Sequence, residues 1–182
     1  MLEFVEKLRK DRIPHSVYAL VELLNNKKID VYTTVIQKLL YFYLTQKGLK
    51  DYYRPYFYGP FSDGVAYTLD ALYDAEFLSL SLQAGRVKKY IVNEKKKPPS
   101  RALKIIDDVQ KDLEGKIINK LREDELCVKS LSLLAKVHWL LKNTNTKGIN
   151  RILEFGRAFY GWEIKINEFK EAEKRLKELN WL

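Results

Sequence analysis

The sequence predicts a mostly α protein with one small β-hairpin, in which a winged-helix-like N-terminal half precedes a helical C-terminal half. Two observations lead to this fold class. Apolar residues recur at helical spacing over most of the chain, whereas alternation with period two is confined to two short neighbouring stretches. The run 94–99, rich in lysine and proline, is typical of a linker, so we expect lobes at residues 1–93 and 100–182.

The N-terminal lobe is predicted to hold four helices before the hairpin. We expect these helices over residues 2–10, 16–25, 31–47 and 63–76, and strands over residues 78–82 and 87–92 joined by the loop 83–86. Pro14 is expected to end the first helix. The third helix has the broadest apolar face and is the predicted central helix, with Asp30 as its N-cap and Gly48 just past its end. The side opposite this apolar face is predicted to carry Gln37, Lys38, Tyr41 and Thr45.

An aromatic segment separates the central helix from the helix that follows it. Six aromatic residues fall within residues 52–61, and Gly59 with Pro60 forms the predicted turn. Either Ser62 or Asp63 is the predicted N-cap of the next helix. We expect the segment to be scaffold rather than a catalytic loop, with three rings filling space beside the central helix: Tyr56, Phe57 and Phe61.

The C-terminal lobe is predicted to be helical, with helices over residues 100–119, 123–142, 149–160 and 167–180. Residues 143–148 form the predicted loop, and Gly161 is expected to end the third of these helices. Asn167 is the predicted N-cap of the last helix. Two ion pairs are expected to support that helix: Glu171–Arg175 and Glu173–Lys177.

A search for reactive motifs finds no signature of catalysis. No phosphate-binding loop and no dinucleotide fingerprint occurs. Cys127 and His138 fall on one helix face but about 16 Å apart, too far to share a metal ion. Asp70 and Asp74 could hold a cation or act as a catalytic pair, but they lie opposite the apolar stripe, where solvated carboxylates are usual. We therefore expect a non-enzyme with no catalytic residue, no cofactor and no metal.

The composition is that of a soluble globular protein, because 46% of the residues are apolar and 31% are charged. No apolar run approaches the roughly 20 residues that span a bilayer. Cys127 is the only cysteine and the N-terminus lacks the pattern of a signal peptide, so we expect a cytoplasmic protein. Abundant Lys, Glu and Tyr favour a thermophilic source. The net charge of +9 is spread over both lobes.

The central helix and the turn resemble those of the YwgA-like and SocA-like (Panacea) families. The matching residues are Gln37-Lys38-Leu39-Leu40-Tyr41-Phe42-Tyr43, Tyr58-Gly59-Pro60-Phe61-Ser62 and, at a helix end, Phe77-Leu78. The match covers roughly residues 30–82, and residues 135–141 are similar to a later helix of archaeal relatives. The chain departs from the family pattern at Val35 and Ile36, where Lys-Leu is usual, and at Glu76, where Gly often stands. The SocA-like branch implies an antitoxin or a proteolytic adaptor, and the YwgA-like branch implies no known activity.

Two functions are open from the sequence. The favoured one is a regulatory module that binds another protein, a toxin or a regulatory target, through acidic residues and tyrosines: Asp63, Asp70, Asp74, Tyr67 and Tyr41. The alternative is a winged-helix transcriptional regulator that contacts DNA through its wing and last helix: Arg86, Lys88, Lys89, Lys170, Lys174 and Lys177. Residues 63–76 hold four acids and no Lys or Arg, which disfavours DNA contact by the helix in the recognition position. The sequence leaves the oligomeric state open.

Overall fold

The computed structural model describes residues 12–49, 52–83 and 87–182, excepting the side chains of residues 82, 83, 87 and 88. Within these residues the chain forms seven α-helices and one antiparallel hairpin. In chain order they are α1 (Ile13–Asn26), α2 (Thr33–Gln46), α3 (Asp63–Asp74), β1 (Leu78–Gln83), β2 (Val87–Val92), α4 (Ser100–Lys116), α5 (Val128–Asn143), α6 (Ile149–Tyr160) and α7 (Ile166–Glu178). The predicted fold class, mostly α with one small hairpin, is therefore confirmed. The predicted helix over residues 2–10 lies outside the described residues.

A proline lies at the start of α1, and a β-bridge determines where α2 begins. Pro14 lies in the first turn of α1, a position that needs no backbone donor, and the helix it was predicted to end lies outside the described residues. Helix α2 starts two residues later than predicted, with Tyr32 and not Asp30 as N-cap. The reason is that Tyr32 forms an isolated β-bridge with Lys89, while the Asp30 carboxylate accepts from the Tyr32 hydroxyl at 3.0 Å and pairs with the Lys89 ammonium.

The hairpin has the predicted strands and is docked on α1. Its register runs from Leu78 opposite Val92 to Gln83 opposite Val87. The Asn25 amide donates to the Tyr90 carbonyl at 3.2 Å and accepts from the Val92 N–H at 2.8 Å. This amide pairs with backbone groups of β2 and so holds the hairpin against α1.

Helix α2 is the centre of the molecule, as predicted, but it is buried on every side. Each residue from 35 to 44 is buried, including three that were predicted to lie opposite the apolar face: Gln37, Lys38 and Tyr41. These three side chains are buried because α5 and the aromatic segment cover their side of the helix. Gly48 adopts φ +78° just past the helix end, as predicted. The buried residues of both lobes form one cluster.

The C-terminal helices α5, α6 and α7 pack against one another, and α5 also packs on α2. Helix α5 begins at Val128, later than predicted, because residues 118–125 form short 3₁₀ turns closed by the Glu125 carboxylate on the Arg122 N–H at 2.7 Å. Helix α7 is capped at Lys165 rather than Asn167. The pair Glu173–Lys177 forms at 2.6 Å as predicted.

Arg175 makes a different contact from the one expected. Its guanidinium does not pair with Glu171 but donates to both carboxylate oxygens of Glu125, at 2.6 and 2.8 Å, and to the Lys120 carbonyl at 2.8 Å, with a longer contact to Glu178 of its own helix at 3.4 Å. The side chain therefore joins α7 to the turns before α5. Among the described helices, none is long and apolar enough to cross a bilayer.

Candidate functional site

Residues 54–61 form a tight two-stranded turn, named here the aromatic turn. Arg54 and Phe61 exchange both backbone hydrogen bonds across its base, at 3.0 and 2.8 Å. Tyr56 and Gly59 do the same at its tip, at 3.2 and 2.9 Å. Gly59 adopts φ +101°, a conformation that residues with a side chain rarely take. The predicted turn at Gly59 is thus confirmed.

The rings at the apex of the aromatic turn project into solvent. Tyr56, Phe57 and Tyr58 are 52%, 66% and 53% exposed. The prediction that Tyr56 and Phe57 fill space beside the central helix is therefore wrong. Gly59 and Pro60, which follow the apex, are buried, and Phe61 is partly buried. Three adjacent aromatic side chains are left on the surface.

Two buried side chains of α2 hold the aromatic turn and the start of α3. The Gln37 amide donates to the Ser62 carbonyl and accepts from the Ser62 N–H, both at 2.9 Å. The Lys38 ammonium donates to the Pro60 carbonyl at 2.7 Å. These contacts account structurally for the motif residues that carry the family resemblance. They satisfy backbone groups that would otherwise be buried without partners.

Trp162 connects the aromatic turn to the C-terminal lobe. Its Nε1 donates to the Tyr56 carbonyl at 2.8 Å across 106 positions of sequence. The Trp162 ring packs on Tyr160, with centroids 4.8 Å apart, and the Lys136 ammonium lies 5.7 Å from the Trp162 ring centroid. Sequence reasoning missed this residue. The available signal was its place directly after Gly161, because a large apolar residue there often folds back onto the helix.

Lys38 is a buried cation with a cationic neighbour. Its side chain is 2% exposed. Burial, and secondarily the charge of Lys136, lower the pKa of Lys38 to about 7. A Cβ added to Gly59 would lie 3.2 Å from Cγ of Lys136 and 3.4 Å from Cε of Lys38, so the turn packs directly on both aliphatic stems. Holding the Lys38 charge in this place costs free energy at neutral pH.

Stability is therefore expected to rise with pH above neutrality. The folded pKa of Lys38, about 7, lies below its unfolded value near 10.5, so between these values the unfolded chain binds the additional proton. The free energy of unfolding should increase by about 2 kcal/mol from about pH 7 to 9. Urea unfolding of the wild type, of Lys38→Met and of the exposed control Lys129→Met measures this rise. The rise should become much smaller only in Lys38→Met, where the lowered pKa of Lys136 still contributes, and parallel curves for all three proteins would refute the assignment.

Helix α3 presents an acidic stripe to solvent. Asp63, Tyr67, Asp70 and Asp74 lie at successive helical spacings along one face, and all four are exposed. The opposite face is buried, and Ser62 caps the helix by accepting from the Val65 N–H at 3.3 Å. Among the described residues, neither Asp70 nor Asp74 has an ion-pair partner. The structure therefore brings together four of the five residues predicted to contact a protein.

Arg54 joins the aromatic turn to the acidic stripe. Its guanidinium donates two hydrogen bonds to the Asp63 carboxylate, at 2.9 and 3.0 Å. The same guanidinium lies over the rings of Tyr56 and Phe61, 5.3 and 5.6 Å from their centroids. The hydrogen bonds from Arg54 lower the pKa of Asp63 below its usual value. The turn and the stripe thus form one continuous surface.

Tyr41, the fifth residue predicted to contact a protein, lies in the core. It is 1% exposed, and its hydroxyl donates to Nδ1 of His138 at 2.6 Å. The Nε2–H of His138 donates to the Trp181 carbonyl at 2.9 Å, so the ring is the neutral tautomer with its proton on Nε2. The prediction of a surface contact for Tyr41 is wrong, because α5 and the C-terminal residues cover its side of α2.

Of the residues of the nucleic-acid alternative whose side chains the structure describes, two are held in ion pairs. Lys89 pairs with Asp30, and Lys177 pairs with Glu173. Arg86 and the side chain of Lys88 lie outside the described residues. Two of the predicted cations, Lys170 and Lys174, are exposed on α7 and make no ion pair within the described parts of the chain.

Comparison with known proteins assigns no family. No family model matches the chain, and no curated protein sequence matches it. The resemblance to the YwgA-like and SocA-like families stays a prediction that rests on the motif around α2 and the aromatic turn.

Proposed function

We propose that this protein is a non-enzymatic regulatory module that binds another protein through one surface, named here the interaction face. The face consists of the apex of the aromatic turn and the outer side of α3: Tyr56, Phe57, Tyr58, Tyr67, Asp70 and Asp74. The antitoxin or adaptor role implied by the family resemblance is the specific form of this proposal. We place it in the cytoplasm, which the single free cysteine, Cys127, supports.

The observation that carries the proposal is the row of exposed aromatic rings. Exposing neighbouring aromatic rings to water is unfavourable, and aromatic residues are enriched at protein–protein interfaces. Phe57 and Tyr58 touch edge to face, with centroids 5.0 Å apart, so they present a joint apolar surface. Rings of this kind serve as anchors that fill a pocket of the partner.

Hydrogen bonds within the chain hold the interaction face in its shape. The apex is closed by the Tyr56–Gly59 hydrogen bonds, and Trp162 binds the Tyr56 carbonyl from behind. At the other end, Arg54 fixes Asp63 at the start of α3. A preorganised surface loses little conformational entropy on binding, so more of the contact energy appears as affinity.

The charge of the interaction face indicates the chemistry of the partner. Asp70 and Asp74 are one helical turn apart, about 6 Å between their Cβ atoms, and are free of ion pairs in the described structure. Lysine or arginine side chains of a partner can reach both carboxylates while their aliphatic parts cover Tyr67. We therefore expect a partner with a basic segment flanked by an apolar pocket.

Affinity capture with matched variants tests the proposal. The full chain is immobilised, and the proteins retained from a lysate of its native cells are quantified by mass spectrometry. Phe57→Ser combined with Tyr67→Ser should weaken capture of a basic protein at least about tenfold, since anchor residues each contribute about 1 kcal/mol or more. The control is Phe159→Ser, which removes another exposed ring, on α6.

A second pair of variants separates charge from apolar contact. Asp70→Lys with Asp74→Lys should abolish capture of the same protein, whereas Asp107→Lys with Asp108→Lys, two exposed acids of α4, should leave it unchanged. Capture that is equal for the wild type and both interaction-face variants would overturn the proposal, and so would equal loss in the controls.

A further inference from the structure

We propose that the groove between the start of α6 and the exposed side of α7 binds the phosphate backbone of a nucleic acid. The groove has a volume of about 500 Å³ and is lined by Lys147, Gly148, Ile149, Asn150, Arg151, Ile166 and Lys170. It shares no residue with the interaction face, so the two proposals stand or fall separately.

Three cations from three different elements meet in this groove. Lys147 comes from the loop after α5, Arg151 from the first turn of α6 and Lys170 from α7. No aspartate or glutamate is among the lining residues. Within the described parts of the chain, none of the three has an ion-pair partner. Converging like charges without a counterion repel one another, and a bound anion removes that repulsion.

Backbone donors at the start of α6 add to the attraction. Helix α6 has 12 residues, and within the described parts of the chain no side-chain hydrogen bond caps its start. Gly148 precedes it at φ +96° and leaves the approach to these groups free of a side chain. Free N–H groups at a helix start favour an anion, but here they supplement the three side-chain cations and do not define the site.

The arrangement fits a polymer of phosphates better than a single anion. Lys174 lies one turn beyond Lys170 on the same side of α7, about 6 Å further along. A small anion held between Lys147, Arg151 and Lys170 would leave Lys174 without a ligand, whereas a strand running along α7 would also bring a phosphate to it. The adjoining groove towards Trp162 contains three carboxylates, so the strand should follow the Lys170–Lys174 side.

The groove shares only one residue with the nucleic-acid contacts that the sequence predicts. Of the six residues predicted there, the groove includes Lys170 and adds two that sequence reasoning missed, Lys147 and Arg151. Lys89 and Lys177 are occupied by acidic neighbours and contribute less free charge.

Fluorescence anisotropy with a labelled random-sequence DNA duplex of about 20 base pairs tests the groove across about 50 to 200 mM salt. The variant Lys147→Ala/Arg151→Ala/Lys170→Ala should bind at least about tenfold more weakly than the wild type. Its salt slope should be smaller by about 2 to 3, since each lost phosphate contact lowers the slope by about 1. The matched control, Arg101→Ala/Lys104→Ala/Lys111→Ala, removes the same charges from exposed positions of α4. Circular dichroism should show that both variants remain folded.

Three outcomes would overturn the proposal. If the α4 control loses as much affinity as the groove variant, binding reflects net charge and not this groove. If the wild type fails to bind the duplex at the lowest salt, the groove has no nucleic-acid function. If inorganic pyrophosphate binds in calorimetry but the duplex does not, the groove is a site for small anions.

Discussion

Replacing Gln37 by alanine is expected to lower the free energy of unfolding by about 3 kcal/mol. The substitution leaves both the N–H and the carbonyl of Ser62 without their partner, in a place where Gln37 itself is 1% exposed. Each orphaned buried group costs about 1 to 3 kcal/mol, and the small cavity adds to the loss. Because Ser62 also caps α3, the start of that helix should fray.

Urea unfolding followed by circular dichroism at neutral pH measures the effect of Gln37→Ala. The matched control is Gln46→Ala, which makes the same change at the exposed end of the same helix and should shift stability by less than about 0.5 kcal/mol. Equal losses in the two variants would show that the Ser62 contacts contribute nothing beyond helix propensity.

Mild acid is expected to destabilise the protein by about 3 kcal/mol through His138 alone. Burial lowers the pKa of His138 to about 4, whereas the unfolded residue titrates near 6.5. Between these values the unfolded chain binds the additional proton, so the stability is complete above pH 6.5 and is lost as the pH falls through about 4. Protonation would also place a second proton on Nδ1, where the Tyr41 hydroxyl now donates.

Unfolding free energies measured from about pH 7 down to 4.5 test this expectation. His138→Gln should flatten the dependence, and His15→Gln should keep most of it, because His15 is only half-buried. Carboxylates such as Asp63, whose pKa is lowered by an ion pair, lose their contribution at lower pH and do not obscure the window. A slope that survives in His138→Gln would refute the assignment.

The elements of this fold could be predicted from local patterns, because local physics determines where they begin and end. The Ser62 cap, the glycines at 48 and 161 and the alternation of the hairpin each act within a few residues. One helix start was mispredicted because a residue distant in sequence determines it. Tyr32 caps α2 because Lys89, on β2, draws it into a bridge.

The environment of α2 could not be predicted, because the spacing of polar and apolar residues does not show which other segments of the chain pack on each face of the helix. Gln37 and Lys38 are polar, so helical spacing assigned them to the side opposite the apolar face. In the structure the same atoms bind backbone groups of Ser62 and Pro60 that lie more than 20 positions away. Tyr56 and Phe57 are the reverse case, since aromatic character suggested burial and the turn geometry placed them in solvent.

A candidate site could be predicted from the sequence when its residues lie close together in the chain. The acidic stripe lies on one helix, so helical spacing alone predicted it. The groove at α6 draws Lys147, Arg151 and Lys170 from three elements, and only packing of α6 against α7 brings them together.

The hydrogen bond from Trp162 to the Tyr56 carbonyl has a consequence for synthesis of the chain. The aromatic turn emerges from the ribosome long before Trp162 does, because 106 positions separate the two residues. Until the later part of the chain has been made, the apex lacks its anchor, and α2 lacks the cover that α5 provides. A nascent chain therefore exposes the apolar centre of the molecule together with an unanchored turn. Under the proposed function, the interaction face would therefore be complete only after the last third of the polypeptide has been made.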